Sequence, residues 1–364
     1  MKVDIVLVEI IENSISKHMK KIGNLFSRIY DIENLELAHQ NARKGKGWYE
    51  DVKEVDSCKW FYFCILQQMF RDHKYHTSTY EVFEKEEGGK VRKIYKLPYF
   101  PDRIGQWAII QIIEPHLLKT FITDTYSALP GKGIHFGLQR VKRAIATDKE
   151  GCKYCLKLDV HHYYQSIDHE ILKSKYRKLF KDKDLLWVLE EIIDSVSTSD
   201  SGEQGVGIPI GNYLSQYSGN LYLSDFDHWI KEQKRVKHYF RYMDDIVILS
   251  DSKNTLHSLY LDIRNYLENN LKLTIKPNYQ IFPTYVRGID FLGYRFFEDF
   301  VLLRKSTCKR MKRKMRKIKK KVDKGGSISY SESCSINSYL GWTKHCNSFR
   351  LNKKYVNPLI KGVD

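Results

Sequence analysis

The sequence predicts an α+β fold, because strand-like and helix-like segments alternate along the chain without a regular βαβ period. Residues 14–75 place apolar side chains at helix spacing, which predicts a mostly helical start. Residues 154–160 form a nearly continuous apolar run of strand length that carries a charge at its end. Of the 364 residues, 42% are hydrophobic and 29% are charged, so the chain can bury a core.

The other elements follow in chain order. Two strand-like runs flank Gly88 and Gly89 within residues 80–95, which predicts a β-hairpin with a charged tip. Residues 102–120 have the pattern of an apolar helix, and strands are predicted over His238–Met243 and Ile246–Leu249. Short strands are expected within residues 272–303, and further helices are predicted at about 168–180, 184–196, 212–233 and 254–270.

The basic charge is concentrated in one segment. The chain carries 61 Lys and Arg residues against 44 Asp and Glu residues, a net charge of +17. Residues 304–324 contain 13 basic residues and one acid, which is +12 and leaves +5 for the remainder. This distribution indicates a polyanionic partner, with nucleic acid favoured over an anionic membrane.

Several classes of protein are excluded by composition. No stretch approaches the roughly 18 apolar residues of a membrane span, and residues 1–14 lack the pattern of a signal peptide. The seven cysteines are scattered, which predicts free thiols in a reducing cytoplasm. Cys152 and Cys155 form a lone CxxC pair, which we interpret as buried small side chains, with a zinc or redox site as the alternative.

Three carboxylates are the candidate catalytic residues. Asp244 and Asp245 lie between two apolar strands, and Asp159 ends a third strand of the buried type. A solvated turn is the alternative for the Asp pair, but a charge at the end of a buried strand requires a partner or a metal. Carboxylates on adjacent strands can hold two Mg²⁺ ions, which act on both the attacking and leaving oxygens in nucleotidyl transfer.

The order and spacing of these motifs resemble the palm of a reverse transcriptase, over roughly residues 80–350. The resemblance rests on the strand before Asp159, the Gly-rich segment 207–216, Tyr242-Met-Asp-Asp245, Lys90-Val-Arg92, Asp102-Arg103 and Gly288–Tyr294. It implies a right-hand polymerase fold of fingers, palm and helical thumb. We assign residues 1–75 to an N-terminal helical extension, 76–153 to fingers, 154–303 to palm and 304–364 to thumb, with a fingers insertion inside the palm range as an option.

The resemblance implies the roles of the palm residues. Asp159 and Asp244 would ligate both Mg²⁺ ions, for which Mn²⁺ is an alternative, with Asp245 a weaker ligand and the Val160 carbonyl completing one shell. Tyr164 would be the steric gate that excludes a ribose 2′-OH, and its alternative is a core aromatic. Contacts to nucleic acid are expected from Tyr242, Met243 and Gly293.

The fingertip offers charged candidates for the incoming dNTP. Lys90 and Arg92 on the hairpin can reach the triphosphate, unless they belong to a solvated turn. Lys276 is a further candidate, as the general acid that protonates pyrophosphate. His161 and His162 are interpreted as neighbours of the metal strand and not as ligands, because Mg²⁺ prefers oxygen.

The segment 207–216 indicates a subtype. Ile210, Gly211 and Gln216 are expected to contact the dNTP, and the pattern Ile-Gly-x-x-x-Ser-Gln resembles the reverse transcriptases of diversity-generating retroelements. In that family the pattern accompanies misincorporation opposite template adenines. Many bacterial relatives have Gln in place of Ile210, and the lost hydrogen bond would relax discrimination. Neutral packing changes are the alternative. The ending Ser338–Arg350 also resembles this family.

The basic segment 304–324 predicts a thumb helix. Met311, Met315, Ile318 and Val322 form one apolar stripe, which we expect to pack inward. The other faces would hold the template–product duplex through its phosphates. A solvated helix or a partner-docking surface is the alternative. The residues predicted to contact nucleic acid are Lys312, Arg313, Arg316 and Lys320.

The predicted function is RNA-directed DNA synthesis on a dedicated template RNA in a diversity-generating retroelement. The alternatives are an anti-phage defence, retron or group II-like reverse transcriptase, and a catalytically idle RNA-binding protein. Expected partners are template RNA, cDNA product, dNTPs and a basic accessory oligomer, with no membrane. The expected location is the cytoplasm, with a bacterial or phage origin.

Overall fold

The computed structural model describes residues 21–87 and 89–360, and the prediction against a signal peptide at residues 1–14 lies outside them. The α+β class is confirmed, since helices and antiparallel strands are interspersed along the chain. The strands are β1 (Glu81–Glu87), β2 (Lys90–Lys96), β3 (Tyr154–Asp159), β4 (His238–Tyr242), β5 (Asp245–Ser250), β6 (Gln280–Pro283), β7 (Ile289–Phe291), β8 (Tyr294–Phe296) and β9 (Val301–Leu303).

The helices vary from single turns to 19 residues. Short 3₁₀ or π turns occupy Tyr99–Arg103, Leu118–Thr120, Glu150–Cys152, Tyr163–Ser166 and Trp229–Gln233. The α-helices span Phe26–Ile29, Ile32–Ala42, Glu50–Ser57, Lys59–Arg71, Ile104–Leu117, Ile134–Thr147, His169–Leu179, Lys183–Asp194, Tyr213–Tyr222, Ser224–His228, Lys253–Leu271, Thr284–Arg287, Lys305–Val322, Tyr330–Thr343, Phe349–Tyr355 and Asn357–Ile360.

The first of two compact units runs to Phe121 and adds His162–Asp225 and Glu268–Leu273. Its centre is the helix Ile104–Leu117, which is apolar on nearly every side and packs against the helices Ile32–Ala42 and Tyr213–Tyr222. A helix that is apolar all round must be covered by its neighbours to be stable. The hairpin β1–β2 belongs to this unit, which confirms the hairpin predicted around Gly88 and Gly89.

The second unit contains Ile122–His161, Phe226–Leu267 and Thr274–Asp364. Its main sheet has the order β4-β5-β3-β6, and all three of these strand pairs are antiparallel. β3 and β5 therefore lie inside the sheet, which explains why both strands are apolar along most of their length. The small sheet β7-β8-β9 and the C-terminal helices share one apolar core with this sheet.

One predicted helix differs from the structure, and one observed helix was not predicted. The single helix predicted over 212–233 is wrong, because one helix ends at Tyr222 and another begins at Ser224. The Ser224 hydroxyl donates to the Leu221 carbonyl, at 2.8 Å, which competes with the helical backbone bonds at this point. The helix Ile134–Thr147 has no counterpart in the predictions, although it is amphipathic and buries Leu138 and Val141.

The described residues also bear on the excluded classes. Cys152 and Cys155 are both buried, which confirms them as small core side chains, and burial raises the pKa of Cys152 to about 12. Within 21–87 and 89–360, no helix combines the length and apolarity needed to cross a membrane. The division into extension, fingers, palm and thumb stays a prediction.

Gly293 joins the β7–β8 turn to the C-terminal helices of the second unit. Its φ of +82° lies in the left-handed region, and a Cβ there would lie 2.6 Å from the Trp342 ring. The Trp342 ring also packs on Tyr294, whose hydroxyl donates to the Trp342 carbonyl at 3.0 Å. Gly293 and Tyr294 of the motif Phe-Leu-Gly-Tyr therefore pack directly against Trp342 of the distant motif Gly-Trp-Thr.

We expect Gly293→Ala to lower the free energy of unfolding by about 1–3 kcal/mol, through the strained φ and the clash with Trp342. The matched control is Gly341→Ala on the helix Tyr330–Thr343, where a Cβ meets nothing within 4 Å. That change should be neutral or stabilise by up to about 1 kcal/mol. Chemical unfolding measures both, and equal stabilities for the two variants would contradict the packing role.

Candidate active site

The three carboxylates lie at adjacent strand ends. Asp159 is the last residue of β3 and Asp245 the first of β5, and their Cα atoms are direct partners in the antiparallel ladder. Tyr242 pairs with Asp245 across the β4–β5 hairpin, so the turn consists of Met243 and Asp244. The prediction that the first strand reaches Met243 is wrong, because that residue takes a φ of +57° in the turn.

Two lysines hold the strand-end carboxylates. The Lys276 ammonium donates to Asp159 Oδ1, and its backbone N–H donates to the Asp159 carbonyl at 2.9 Å. Lys157 lies two residues before Asp159 on the same face of β3, and its ammonium is 3.1 Å from Asp245 Oδ1. Lys157 was not among the predicted site residues, although one charge between Leu156 and Leu158 in an apolar strand is a usable signal. Each lysine offsets the repulsion between neighbouring carboxylates.

The donor set fits a hard divalent cation in its chemistry. Asp245 Oδ1 is buried and receives no hydrogen bond within the described part of the chain, despite the nearby Lys157 ammonium. Carboxylate oxygens are the ligands that Mg²⁺ prefers. In the arrangement seen, no three acidic, His or Cys side chains of residues 21–87 and 89–360 are placed to hold an ion. Asp159 Oδ1 is engaged by the Lys276 ammonium in this arrangement.

Asp244 carries the clearest electrostatic signature. It is half-buried at the turn, and burial together with the nearby Asp159 charge raises the pKa of its carboxyl to about 6. Burial likewise raises the pKa of Asp245, against the attraction of Lys157. A site that disfavours its own negative charges in this way gains free energy when a cation binds.

A buried ion pair fixes the turn that carries Asp244. Arg241 and Asp227 are both fully buried, with Arg241 Nε 2.7 Å from Asp227 Oδ1. Arg241 Nη1 also donates to the Met243 carbonyl at 3.0 Å, directly before Asp244. The Tyr239 hydroxyl completes the network on Asp227. Arg241 and Asp227 were not among the predicted site residues, although Arg241 stands out as a charge within an apolar strand.

A basic cavity adjoins the strand ends of the second unit. It has a volume of about 410 Å³ and is lined by Asp159, Asp245 and four cationic side chains. One of them, Arg304, is paired with Asp290, whose backbone carbonyl accepts from Lys157. Acidic ligands and basic side chains in one cavity suit a polyanion whose reacting end meets a metal. The four cationic residues are Lys157, Arg287, Arg295 and Arg304.

Tyr163 and Tyr164 of the first unit separate into a core residue and a more exposed one. Tyr163 is buried and its hydroxyl donates to the Gly219 carbonyl. Tyr164 is half-buried, and its carbonyl accepts from the Ile208 N–H at 2.9 Å. The core-aromatic alternative therefore describes Tyr163, and the gate role of Tyr164 stays a prediction.

The predicted dNTP segment lies against the β1–β2 hairpin within the first unit. The Tyr95 N–H donates to the Ile210 carbonyl at 3.1 Å, and a Cβ on Gly211 would lie 2.7 Å from the Tyr95 carbonyl. Ile210 lies in the segment before the next helix, which starts at Tyr213. Gln216 lies on that helix and is exposed.

The β1–β2 hairpin carries the predicted triphosphate contacts near its tip. Lys90 begins β2 opposite Glu87, and Arg92 pairs in register with Lys85. The Arg92 side chain is exposed. The hairpin itself is confirmed, whereas the contact of Lys90 and Arg92 with a dNTP stays a prediction.

The basic helix Lys305–Val322 belongs to the second unit. Met311, Met315 and Ile318 are buried, as predicted, but the inward position of Val322 is wrong because that side chain is 37% exposed. Val322 ends the helix, beyond the core that covers the other three.

Seven of the basic side chains of this helix fall into two groups. Lys312 and Arg316 lie over the Tyr355 ring at 5.6 and 5.3 Å, and Lys319 and Lys321 pair with Asp323 and Glu332. Arg313, Lys317 and Lys320 are exposed. Arg313, Lys317 and Lys320 are therefore better placed to contact phosphates than Lys312 and Arg316. The last two were among the residues predicted to contact nucleic acid.

The sequence of the chain is similar to those of known proteins. The family described as reverse transcriptase (RNA-dependent DNA polymerase) matches residues 83–296. Protein YkfC of Escherichia coli K12 is 22% identical, over 64% of this chain and 70% of that protein. The group II intron-encoded protein LtrA of Lactococcus lactis is 21% identical over 62% of this chain, but the match spans 39% of LtrA.

Solved structures of telomerase are similar to part of the chain. Telomerase from Candida albicans, in complex with a fragment of telomeric RNA, is 12% identical. The match has a TM-score of 0.49 and covers 68% of this chain and 51% of that one.

The raised pKa of Asp244 gives a prediction about stability. An ionised Asp244 destabilises the folded state above about pH 6, and the effect disappears as the pH falls below the usual pKa of 3.8. In EDTA, Asp244→Asn should therefore have a higher Tm than the wild type at pH 8, with the difference shrinking towards pH 4. Thermal unfolding across this range measures it, with Asp251→Asn as the exposed control. A constant difference at all pH values would contradict the account.

Proposed function

Because the chain belongs to the reverse transcriptase (RNA-dependent DNA polymerase) family, we propose that Asp159, Asp244 and Asp245 form the polymerisation site of an enzyme that copies a dedicated template RNA. Family membership confirms the predicted right-hand polymerase fold and the RNA-directed DNA polymerase activity. The similarity to LtrA also relates the chain to group II intron reverse transcriptases. The observation that carries the proposal is the pairing of Asp159 with Asp245, with Asp244 in the adjoining turn.

The carboxylates would hold two Mg²⁺ ions, or Mn²⁺ in their place, with the Val160 carbonyl as a further oxygen ligand. Such ions lower the barrier by stabilising charge on the attacking 3′-oxygen and on the leaving pyrophosphate. Asp159 would approach the ions from the end of β3, and Asp244 from the neighbouring β4–β5 turn. The Arg241–Asp227 network keeps the turn in place, because it fixes the Met243 carbonyl. Tyr242 and Met243 on this hairpin, and Gly293 on the next, are proposed to lie along the primer strand.

The general-acid role of Lys276 stays a prediction, and its ion pair with Asp159 suggests a second role in the absence of metal. An ammonium beside a carboxylate supplies a compensating positive charge. Lys157 has the same relation to Asp245. We therefore propose that both lysines stabilise the metal-free state of the site.

Selection of the nucleotide is proposed to rest on the first unit. The half-buried Tyr164 would exclude a ribose 2′-OH, since a ring on a fixed backbone cannot yield to an extra oxygen. Lys90 and Arg92 would contact the triphosphate, because charge-assisted bonds favour a phosphate acceptor. Ile210, Gly211 and Gln216 would contact the incoming nucleotide.

The diversity-generating subtype is supported by the segment 207–216. Ile210 has no side-chain hydrogen-bonding group, so it cannot fix the pose of a nucleotide as Gln would. Synthesis would then be error-prone at template adenines, and the cDNA would diversify a target gene. A basic accessory oligomer belongs to the same proposal. The similarity to LtrA favours a second candidate, a group II-like reverse transcriptase on a non-coding RNA, and a role in anti-phage defence would use the same site.

Asp244→Asn should reduce primer extension on an RNA template by more than about a hundredfold, because loss of a metal ligand removes several kcal/mol of transition-state stabilisation. The measurement is dNTP incorporation with Mg²⁺, alongside RNA binding, which should stay within a few-fold of wild type. Asp251→Asn is the control, since Asp251 is exposed at the other end of β5. Activity of Asp244→Asn within tenfold of wild type would refute the assignment.

The thumb helix gives a prediction about salt. Replacing Arg313, Lys317 and Lys320 by Gln should weaken duplex binding without sequence preference and flatten the salt slope by about 0.9 per lost phosphate contact. The matched control changes Lys312, Lys319 and Lys321 to Gln, because these three are engaged by Tyr355, Asp323 and Glu332. Equal slopes for both triple variants would assign the exposed face to a partner protein.

Ile210→Gln tests the subtype. A restored hydrogen bond of roughly 0.5–1.5 kcal/mol to correct pairs should lower errors opposite template adenine by up to about tenfold while polymerisation persists. Ile210→Val is the control and should keep the errors. Deep sequencing of cDNA from a defined RNA measures both. Equal wild-type error rates at A, C, G and U would remove the diversity-generating assignment.

A further inference from the structure

His169 is a buried histidine of the first unit with two polar partners. It is the first residue of the helix His169–Leu179, and its side chain is 2% exposed. Its Nε2 atom lies 2.9 Å from the Gly207 carbonyl oxygen, and its Nδ1 atom lies 3.1 Å from Asp194 Oδ1. Both ring nitrogens therefore face oxygen acceptors at hydrogen-bond distance.

These two contacts bear on the charge of the ring. A neutral imidazole has one N–H donor, so it satisfies one acceptor and turns a nitrogen lone pair towards the other. A protonated Asp194 could donate to the ring instead. However, Asp194 is half-exposed and lies 2.5 Å from the Lys173 ammonium, so it is ionised at neutral pH and can only accept. The contacts of His169 are complete only when the ring carries both protons.

The charged groups around the ring come from its own helix and from the helix that ends at Asp194. Lys173 lies one turn along from His169, but its ammonium is paired with Asp194, which reduces its repulsion of a charged ring. Asp168 directly precedes His169, and its carboxylate is paired with Lys272 at 2.6 Å. The loop segment opposite the Nε2 atom contributes backbone carbonyls and no ionisable side chain. Asp194 is thus the acidic partner of the ring.

The Gly207 carbonyl belongs to the segment that is proposed to select the nucleotide. The next residue, Ile208, donates its N–H to the Tyr164 carbonyl at 2.9 Å, and its own carbonyl accepts from Thr198 Oγ1 at 3.1 Å. Two residues further along, the Ile210 carbonyl accepts from the β1–β2 hairpin. A bond that fixes the Gly207 carbonyl therefore restrains the backbone that leads to both Tyr164 and Ile210.

We propose that His169 is an imidazolium and a positioning residue for nucleotide selection, which holds the Gly207 carbonyl and, through the following residue, the backbone of Tyr164. This role rests on the proposed function, in which Tyr164 excludes a ribose 2′-OH. When the ring loses one proton at high pH, the proton on Nδ1 remains, because a bond to a carboxylate is the stronger one. The Nε2 lone pair then faces the Gly207 carbonyl, the segment loosens, and discrimination against rNTPs falls.

The protonation state is measured by NMR on the full chain with ¹⁵N-labelled histidine. The signals of the ring are identified by their loss in His169→Gln. Both ring nitrogens should carry protons at pH 7, and a titration to higher pH gives the midpoint at which the second proton leaves. A neutral His169 ring at pH 7 would overturn the proposal, whether or not the chain polymerises.

Two substitutions separate the roles of the two ring nitrogens. The amide nitrogen of Gln takes the place of Nε2 and can donate to Gly207, whereas that of Asn takes the place of Nδ1 and reaches only Asp194. The measured quantity is the kcat/KM for rNTPs divided by that for dNTPs on a defined RNA template. His169→Asn should raise this ratio by about 2- to 10-fold, through the loss of one hydrogen bond, and His169→Gln should preserve it. The control is His76→Gln, at an exposed histidine near Glu191, and it should also leave the ratio unchanged.

The pH profile of this ratio distinguishes positioning from a purely structural role. In the wild type the ratio should rise at the pH where NMR shows the second proton leaving, because the neutral ring has lost the same donor as the Asn variant. In His169→Gln it should stay flat, since an amide does not titrate. A wild-type ratio that stays constant while the ring loses its proton would overturn the proposal, and so would an unchanged ratio in folded His169→Asn. If His169→Asn does not fold, the wild-type and Gln profiles decide.

Tyr164→Val separates failure of this role from failure of the proposed gate. If Tyr164→Val raises the ratio and His169→Asn does not, the gate stands and the positioning role of His169 is wrong. If Tyr164→Val has no effect, the gate itself is wrong, and with it the route by which His169 would act. A raised ratio in both variants, with the matching pH profile, is the expected result.

Discussion

Repulsion among three carboxylates is the constraint on which the second unit depends. The register that pairs Asp159 with Asp245 brings two negative charges to the same edge of the sheet, and the hairpin turn adds Asp244. Lys157 and Lys276 provide the compensating charge, each from a strand or segment adjacent to its carboxylate. Burial and the remaining repulsion from Asp159 raise the pKa of Asp244. The sheet is thus prepared for a cation by its own electrostatics.

The surrounding packing keeps that arrangement from relaxing. Repelling side chains on a soft turn would move apart, but the turn is tied to the fully buried Arg241–Asp227 pair. Breaking such a pair by removing one partner costs about 3–5 kcal/mol, because the other charge stays buried. The small sheet β7-β8-β9 is fixed in the same core by the contact of Gly293 with Trp342. Rigidity at the strand ends therefore comes from elements distant in sequence.

Local sequence patterns predicted the elements that are determined by residues close together in the chain. The apolar strands around Asp159 and Asp245, the hairpin at Gly88-Gly89 and the stripe at Met311, Met315 and Ile318 each follow from spacing. Other features depend on tertiary contacts, and the sequence alone could not place them. The pairing of Lys276 with Asp159 joins residues 117 positions apart, and the helix break before Ser224 depends on a side-chain bond. The helix Ile134–Thr147 was not predicted, because its sequence contains no strong apolar run.

Binding of a divalent ion by the strand-end carboxylates tests the account most directly. Mn²⁺ binding to the full chain at pH 8, followed by the electron paramagnetic resonance signal of the free ion, gives an affinity without any polymerisation. The account predicts that wild type binds Mn²⁺, that Asp159→Asn and Asp244→Asn bind it at least tenfold more weakly, and that Lys276→Met binds it more tightly because the competing ammonium is gone. Equal affinities in wild type and both Asn variants would contradict it.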